Sequence, residues 1–290
     1  MRLVTFSDGS PPRAGALVDG GVVDLTEAGS PADLTALIRL GRPGLRIAAD
    51  AIAGTPPIPR EAVRIHAPLP RPPKDVMCVG RNYPEHAAEF SRSGFDASER
   101  SVVPDHPVIF TKAASSIVGP DEPILVANDP TGTVDYEGEL AVVIGPGGRR
   151  IPEAEADAHV FGYTIVNDVT ARDLQKRHVQ WFLGKSPDTF CPMGPAIVTI
   201  EELPDIGGAW LRTHVNGELR QEAPISSLLF DVPSLISTIS ETMTLEPGDV
   251  IATGTPAGAG IGADPPRFLA PGDVVEVSVD GIGTLRNPVR

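Results

Sequence analysis

The stretch that decides the fold is residues 135–145, which read DYEGELAVVIG. Its second half, residues 139–145, is the strongest predicted strand of the chain because five apolar residues follow one another there. In a strand, side chains at positions i and i+2 face the same side, so Glu137 and Glu139 point together. Two neighbouring carboxylates repel unless a cation or a proton lies between them. They form either a metal site or a solvent-facing strand edge.

A third carboxylate belongs to a neighbouring predicted strand. Asp168 ends residues 162–168, which read GYTIVND. Three oxygen anions from two strand ends suit a hard cation such as Mg²⁺, Mn²⁺ or Ca²⁺, and not zinc. Three protein ligands on an octahedral ion leave about three positions for water or substrate.

Composition excludes several classes of partner. The 290 residues carry 24 Lys and Arg against 38 Asp and Glu, a net charge of −14, whereas nucleic acids and anionic membranes require basic surfaces. The 41% of hydrophobic residues indicates a globular chain, and 30 Gly with 31 Pro favour many turns and a strand-rich fold. The sequence therefore predicts a partner that is neither nucleic acid nor membrane.

The cysteine count and the N-terminus indicate the compartment. Two cysteines, Cys78 and Cys191, are too few for a disulfide scaffold and fit a reducing environment. No apolar run approaches the 18 or so residues of a transmembrane helix, and Asp8 interrupts any signal-peptide core. We therefore expect a cytoplasmic protein.

Turn residues and a cluster of prolines predict two domains. Short apolar runs separated by turn residues predict hairpin strands in the first 28 residues, and two short helices follow between 31 and 53. A proline cluster in 56–73 is the best linker candidate. We predict a small β-rich N-terminal domain at 1–68 and the main domain at 72–290. Apolar spacing also predicts a helix over 232–244.

A histidine and a glutamate follow another predicted strand. Residues 78–90 read CVGRNYPEHAAEF, and Pro84 begins a predicted short helix. On that helix His86 and Glu89 stand at i and i+3 and can touch. A histidine oriented by a carboxylate is a general-base arrangement, although the same spacing also fits a surface ion pair.

Two more segments carry candidate ligand contacts. Lys185, between aromatic residues and a Pro/Gly-rich turn, is either a binding group for a substrate carboxylate or a surface lysine. Residues 252–263, ATGTPAGAGIGA, match a permissive dinucleotide fingerprint, but two prolines follow where that motif requires a helix. We expect instead a loop that brings backbone N–H groups and Thr255 close to a ligand.

Taken in order, five segments resemble the fumarylacetoacetate hydrolase family. They are VGRNY followed by His86, DYEGELA, NDVTARDLQ, GKSPDTFCPMGP and TGTPAG. The similarity covers residues 72–290, and the β-rich start also resembles the N-terminal domain of that family. The resemblance implies an α+β, β-rich fold: a mixed β-roll or β-sandwich catalytic domain with a small N-terminal domain, assembled as a homodimer.

The resemblance also assigns roles to residues. It implies Mg²⁺ or Mn²⁺, with Ca²⁺ in some members, held by three carboxylates. The implied metal ligands are Glu137, Glu139 and Asp168. The implied catalytic residues are His86, Glu89 and Lys185. The implied substrate-binding residues are Arg172, Gln175 and Thr255.

The implied activity is metal-dependent hydrolysis of a C–C bond in a 2,4-dioxo acid, such as an acylpyruvate, through an enolate stabilised by the metal. The alternative is a decarboxylase, enol–keto isomerase or lyase that acts on a 2-oxo acid at the same site. A metal that only stabilises a dimer is a third possibility. A nucleotide-dependent oxidoreductase would need the 258–263 loop to open a helix. The polar stretch 91–106 is predicted to be a mobile loop or lid over the substrate.

Overall fold

The computed structural model describes residues 1–96 and 103–290. Within them the strands are β1 (Arg2–Ser7), β2 (Arg13–Val18), β3 (Gly21–Asp24), β4 (Ile58–Pro59), β5 (Arg64–His66), β6 (Val76–Gly80), β7 (Val108–Lys112), β8 (Ile117–Val118), β9 (Val134–Asp135), β10 (Gly138–Ile144), β11 (Val160–Asn167), β12 (Thr170–Ala171), β13 (Cys191–Thr199), β14 (Trp210–Val215), β15 (Glu218–Pro224), β16 (Val250–Ala252), β17 (Val274–Val279) and β18 (Gly283–Pro288). The α-helices are α1 (Leu34–Arg39), α2 (Arg42–Gly54), α3 (Pro84–Arg92), α4 (Arg172–Arg177), α5 (Phe182–Lys185) and α6 (Val232–Thr242). The β-rich α+β expectation is confirmed.

Strand β10 lies in the middle of the largest sheet. The strand order is β4-β3-β2-β1-β13-β11-β10-β16-β6-β7, with β5 paired to β1 and β8 to β13. A second sheet has the order β15-β14-β17-β18, and β9 pairs with β12. Every residue of β10 is buried, because the strand has neighbours on both edges and other elements on both faces.

The two faces of β10 contribute to different parts of the core. Leu140, Val142 and Ile144 pack in one apolar cluster with residues of β14 and β17, two strands of the second sheet. Ala141 and Val143 belong to another cluster that includes residues of α1 and α2. Alternate residues of β10 therefore face opposite sides of the large sheet. One side is covered by the second sheet and the other by helices.

The N-terminal strands continue the same sheet. β1 pairs with β13, so residues before and after the proline cluster share one hydrogen-bonded surface. Parts of that cluster are themselves strands, because β4 pairs with β3 and β5 with β1. The division at 1–68 and 72–290 stays a prediction.

Two helices match their predicted positions. α3 begins at Pro84, whose missing N–H costs nothing in the first helical turn. α6 covers 232–242 of the predicted 232–244, and the side chain of Asp231 caps it by accepting the N–H of Ser234 at 3.0 Å. Among the residues that the structure describes, no helix has the length and apolar character needed to cross a bilayer.

Candidate active site

A cavity lies at one end of the large sheet, beside the end of β6, the start of β10 and the end of β11. Its lining consists of Val79, Gly80, Arg81, His86, Phe90, Phe110, Glu137, Glu139, Asp168, Arg172, Gln175, Trp181, Lys185 and Thr255. Eight of the nine residues selected from the sequence are among them. The ninth, Glu89, contacts the cavity residue His86.

The three acidic residues converge in this cavity. β10 and β11 are antiparallel, with Gly138 opposite Asn167, so the chain just before β10 lies beside the chain just after β11. As a result, one carboxylate oxygen each from Glu137, Glu139 and Asp168 lies within 4.8 Å of the others, and all three residues are buried. This excludes the solvent-facing strand edge that the spacing had left open.

Gly138, between the two glutamates, allows the close approach of the two sheets. It points toward the second sheet, where an added Cβ would lie 2.2 Å from the hydroxyl oxygen of Thr213. A larger residue at 138 would push β10 away from β14. The close approach of the sheets therefore requires glycine here, and the alternation then directs Glu137 and Glu139 to the opposite face.

Three buried cations surround the acidic triad. The Lys112 ammonium is 2.7 Å from Oδ1 of Asp168, and the Lys185 ammonium is 2.6 Å from both Oδ2 of Asp168 and Oε2 of Glu137. Arg172 Nη2 lies 2.6 Å from Oε1 of Glu137. Such short contacts are needed to offset the cost of removing these charges from water. The burial of Lys185 excludes its interpretation as a surface lysine.

Glu139 has a different environment from its two neighbours. Its Oε2 accepts the backbone N–H of Gly254 at 2.8 Å, and within the described chain it forms no ion pair. Burial, followed by the charges of Asp168 and Glu137, raises the pKa of Glu139 well above its ordinary value. Among the described residues, no cation therefore contacts this carboxyl group directly.

The acidic triad fits a divalent cation. Burial opposes ionisation of Glu137, but Arg172 and Lys185 outweigh it and hold its pKa well below the usual range. Together with Asp135, which also pairs with Arg172, the three carboxylates face three buried cations among the described residues, so the ionised cluster has one negative charge in excess. Three buried carboxylate oxygens are hard ligands, and they suit Mg²⁺ or Mn²⁺, with Ca²⁺ also compatible.

The histidine and its glutamate form a hydrogen-bonded pair. His86 Nδ1 lies 3.0 Å from Oε2 of Glu89, one turn along α3, and His86 Nε2 lies 3.9 Å from Oε1 of Glu137. We assign the ring proton to Nδ1, beside that carboxylate, which leaves the lone pair of Nε2 facing the cavity. His86 is only 5% exposed, which excludes a solvated surface ion pair.

The turn before α3 is fixed by one asparagine. The Asn82 amide nitrogen donates to the carbonyl oxygens of Phe230 at 2.9 Å and Thr253 at 2.8 Å, and its amide oxygen accepts the N–H of Phe230 at 2.8 Å. Asn82 is completely buried, so each of these bonds is protected from water. They fix the start of the helix that carries His86.

Aromatic rings form the apolar part of the cavity wall. Trp181 contacts Phe90 and Phe110 edge to face, with ring centroids 5.9 Å and 5.2 Å away. The indole also lies against Gly80, where a Cβ would come within 2.5 Å of it. Glycine at 80 is therefore required for this ring to reach the cavity.

The groups expected to contact substrate are already engaged with the protein. Arg172 is fully buried and donates to Oδ2 of Asp135 through Nε at 2.9 Å and Nη2 at 2.8 Å, and to Oε1 of Gln175 at 3.2 Å. The Thr255 hydroxyl donates to the carbonyl of Gly138 at 2.9 Å. All three line the cavity, and their contact with substrate stays a prediction.

Sequence reasoning missed two residues of this network. Lys112 binds the carbonyl of Val169 at 2.9 Å and that of Lys185, in addition to Asp168. The one sign of Lys112 in the sequence was its position at the end of an apolar strand. Asp135 pairs with Arg172, 37 positions away, and no local sequence pattern indicates that contact.

The predicted lid is only partly described. Residues 97–102 lie outside the described part of the chain. Before them, the Phe95 ring packs edge to face on Phe268 at 6.0 Å, and Asp96 pairs with Arg81 at 2.5 Å. Arg81 lines the cavity, so this segment contacts its border, and the lid itself stays a prediction.

Comparison with known sequences gives consistent matches. Residues 75–290 match the family described as Fumarylacetoacetate (FAA) hydrolase C-terminal. Oxaloacetate tautomerase YisK of Bacillus subtilis (strain 168) is 50% identical over 227 residues, covering 78% of this chain and 73% of that protein. The mitochondrial oxaloacetate tautomerase fahd2 of Xenopus laevis is 42% identical over 298 residues, covering 100% and 90%.

Solved structures agree over the full length. A fumarylacetoacetate hydrolase from Exiguobacterium antarcticum superposes with a TM-score of 0.87 at 45% identity, covering 100% of this chain and 99% of that one. A maleylpyruvate hydrolase from Sphingobium sp. SYK-6, solved in complex with manganese(II) ion and pyruvate, gives 0.79 at 31% identity, covering 100% and 98%.

Proposed function

The chain belongs to the fumarylacetoacetate hydrolase family of enzymes, and we propose that it catalyses enol–keto tautomerisation of a small 2-oxo dicarboxylic acid, with oxaloacetate as the first candidate. The observation that carries this proposal is the His86–Glu89 pair, whose free imidazole nitrogen borders the acidic triad. The relatives named oxaloacetate tautomerase support the choice of substrate.

The acidic triad would hold the metal. A divalent ion bound by Glu137, Glu139 and Asp168 would supply Lewis-acid polarisation of the 2-oxo oxygen. Lys185 and Arg172 offset the charge of Glu137, which keeps that carboxylate ionised and ready to bind. These cations also raise the local positive potential for an anionic substrate.

The proposed proton transfer uses His86. Ketonisation removes the proton from the enol oxygen and adds one at C3, so the composition of the substrate does not change. In the enolisation direction the Nε2 lone pair of His86 would take the proton from C3, while water would supply the proton of the enol oxygen. In ketonisation the same steps run in reverse: the imidazolium would return a proton from Nε2 to C3, the enol hydroxyl proton would leave to water, and water would restore the proton on His86. Glu89 stabilises the imidazolium form through Nδ1.

The aromatic wall of the cavity favours a short substrate. The rings of Phe90, Phe110 and Trp181 close one part of the cavity. We therefore expect a four-carbon acid to fit better than an acid with a long tail.

Hydrolysis of the C3–C4 bond of a 2,4-dioxo acid is the second candidate. The observation that favours it is the same lone pair on Nε2 of His86, which could take a proton from water as readily as from carbon. The 31% identical maleylpyruvate hydrolase lends support. Decarboxylation or lyase cleavage of a 2-oxo acid would use the same groups.

One set of assays separates these reactions. The protein would be mixed with enol oxaloacetate and, separately, with a short acylpyruvate, with and without Mn²⁺, while ultraviolet absorbance and pyruvate are followed. Faster loss of enol absorbance without pyruvate supports tautomerisation. Pyruvate from oxaloacetate indicates decarboxylation, and pyruvate from the acylpyruvate indicates hydrolysis; either one without enol turnover contradicts the first proposal.

A further inference from the structure

A glycine-rich loop lies directly behind the His86–Glu89 pair. The backbone N–H of Gly258 donates to Oε1 of Glu89 at 2.9 Å. Farther along the loop, a Cβ added to Gly262 would lie 1.8 Å from the same oxygen. The loop backbone therefore fits closely around the carboxylate that orients His86.

Apolar contacts join the same loop to α3. Phe90, on the helix that carries His86, forms a buried cluster with Ala259 and Ile261 of the loop. Phe90 directly follows Glu89 in α3. Helix and loop are thus held together by packing as well as by the Glu89 hydrogen bond.

The other side of the loop is held by the two residues that precede Glu137. The Tyr136 hydroxyl donates to the carbonyl oxygen of Gly258 at 2.9 Å. The Asp135 carboxylate accepts the backbone N–H of Gly260 at 2.7 Å and of Ile261 at 3.1 Å. The segment that provides a predicted metal ligand also fastens the loop behind the base.

The conformation of Gly258 makes this attachment specific. Its φ of +102° is one that other residues rarely adopt, and a Cβ would lie 1.9 Å from the carbonyl oxygen of Arg220. Tyr136 is 1% exposed, so its hydrogen bond to the Gly258 carbonyl is largely shielded from water. The buried Tyr136 hydroxyl therefore helps to hold Gly258 in this conformation.

We propose that Tyr136 is a positioning residue for the proposed base: its hydroxyl fixes Gly258, the Gly258 N–H fixes Glu89, and Glu89 orients His86. The role in turnover rests on the proposed function. Tyr136 does not line the substrate cavity, so its effect must pass through the loop.

The first test removes only the hydroxyl. Tyr136→Phe is expected to lower kcat about three- to tenfold, the range that corresponds to one lost hydrogen bond. KM and the Mn²⁺-induced rise in melting temperature should stay the same, because cavity and triad are unchanged. Tyr163→Phe, the same change in a buried residue of β11, is the matched control and should leave kcat unaltered. An unaltered kcat in Tyr136→Phe overturns the proposal.

A double-mutant cycle distinguishes positioning from general stability. In a Glu89→Ala background the route from Tyr136 to His86 is already broken, so adding Tyr136→Phe should change the residual kcat less than twofold. An equal fold-loss in both backgrounds would show that Tyr136 acts independently of Glu89, and would overturn the proposal.

A structural readout does not depend on the reaction. In Tyr136→Phe, amide hydrogen exchange should quicken in peptides covering 254–263 and 84–92, and remain as in wild type in β2 and β3. Unchanged exchange in both peptides contradicts the positioning role, even if the enzyme proves to catalyse a different reaction. Quickened exchange in a protein without tautomerase activity supports the positioning and rejects only the proposed function.

Discussion

The Nε2 atom of His86 lies 3.9 Å from Oε1 of Glu137, the carboxylate that Lys185 and Arg172 also contact. The proposed base and the proposed metal ligands therefore border the same small space, although they come from elements about 50 residues apart in sequence. A substrate in this cavity would be within reach of both. This single relationship links the metal to the proton transfer.

Removing the imidazole tests the proposed base. His86→Ala is expected to lower kcat by about 10²–10⁴, the usual contribution of a positioned acid or base. The Mn²⁺-induced rise in melting temperature should persist, because His86 is not one of the three carboxylates. His159→Ala, on a segment remote from the cavity, is the control. Turnover equal to wild type would remove His86 from the mechanism.

Neutralising one carboxylate tests the metal site. Glu139→Gln is expected to abolish the stabilisation by Mn²⁺, which for a ligand at 100 times its Kd is about 2.7 kcal/mol. Without metal the variant should be at least as stable as wild type, because Glu139 is a buried carboxylate with no ion pair in the described chain. Thermal melting with and without Mn²⁺ measures both effects. A normal Mn²⁺ response in this variant, with the exposed Glu241→Gln as control, would contradict the assignment.

A single methyl group tests the fit of the loop against Glu89. Gly262→Ala would place a Cβ 1.8 Å from Oε1 of Glu89, so the carboxylate must move away from His86. We expect at least a tenfold loss in kcat, about 1.4 kcal/mol, with unchanged Mn²⁺ binding. Gly54→Ala, at the end of α2 with open space around it, is the matched glycine control. Comparable kcat in the two variants would show that the close fit does not matter.

The two cysteines give a pH-dependent prediction. Burial raises the pKa of the Cys191 thiol from 9.0 to about 12 and also raises that of Cys78. From about pH 9 upward the unfolded chain releases thiol protons that the native state keeps, so the free energy of unfolding falls as pH rises. Urea titrations should show this decrease, and a Cys78→Ala, Cys191→Ala variant should show a smaller one. Native protein that reacts rapidly with a thiol reagent at about pH 8 would contradict the burial.

Local pattern was sufficient for the two glutamates of the triad and for the His86–Glu89 pair. The period of two in β10 predicted that Glu137 and Glu139 share a face, and helical spacing predicted the contact of His86 with Glu89. Both predictions rest on neighbours within three residues, where backbone geometry alone decides. Predicting that Asp168 lies beside the two glutamates required the family resemblance, because the sequence of a strand does not specify which strand it pairs with.

Contacts between residues far apart in the chain could not be predicted from the sequence. Lys112 reaches Asp168 from 56 positions away, and Asp135 fastens a loop 125 residues later. Such contacts depend on the order of strands in the sheet, which propensity does not specify. The same reason explains the proline cluster, whose composition suggests a linker although parts of it pair with β1 and β3.

The most direct test of the central claim is the stereochemistry of protonation at C3. Enol substrate would be ketonised by the Mn²⁺-loaded protein in D₂O, and the product trapped at once by reduction to the hydroxy acid and examined by NMR. Because His86 can reach only one face of a bound enol, we expect deuterium at a single position of C3, and random placement with His86→Ala. Equal labelling of both positions by the wild-type protein, at the rate of buffer alone, would contradict it.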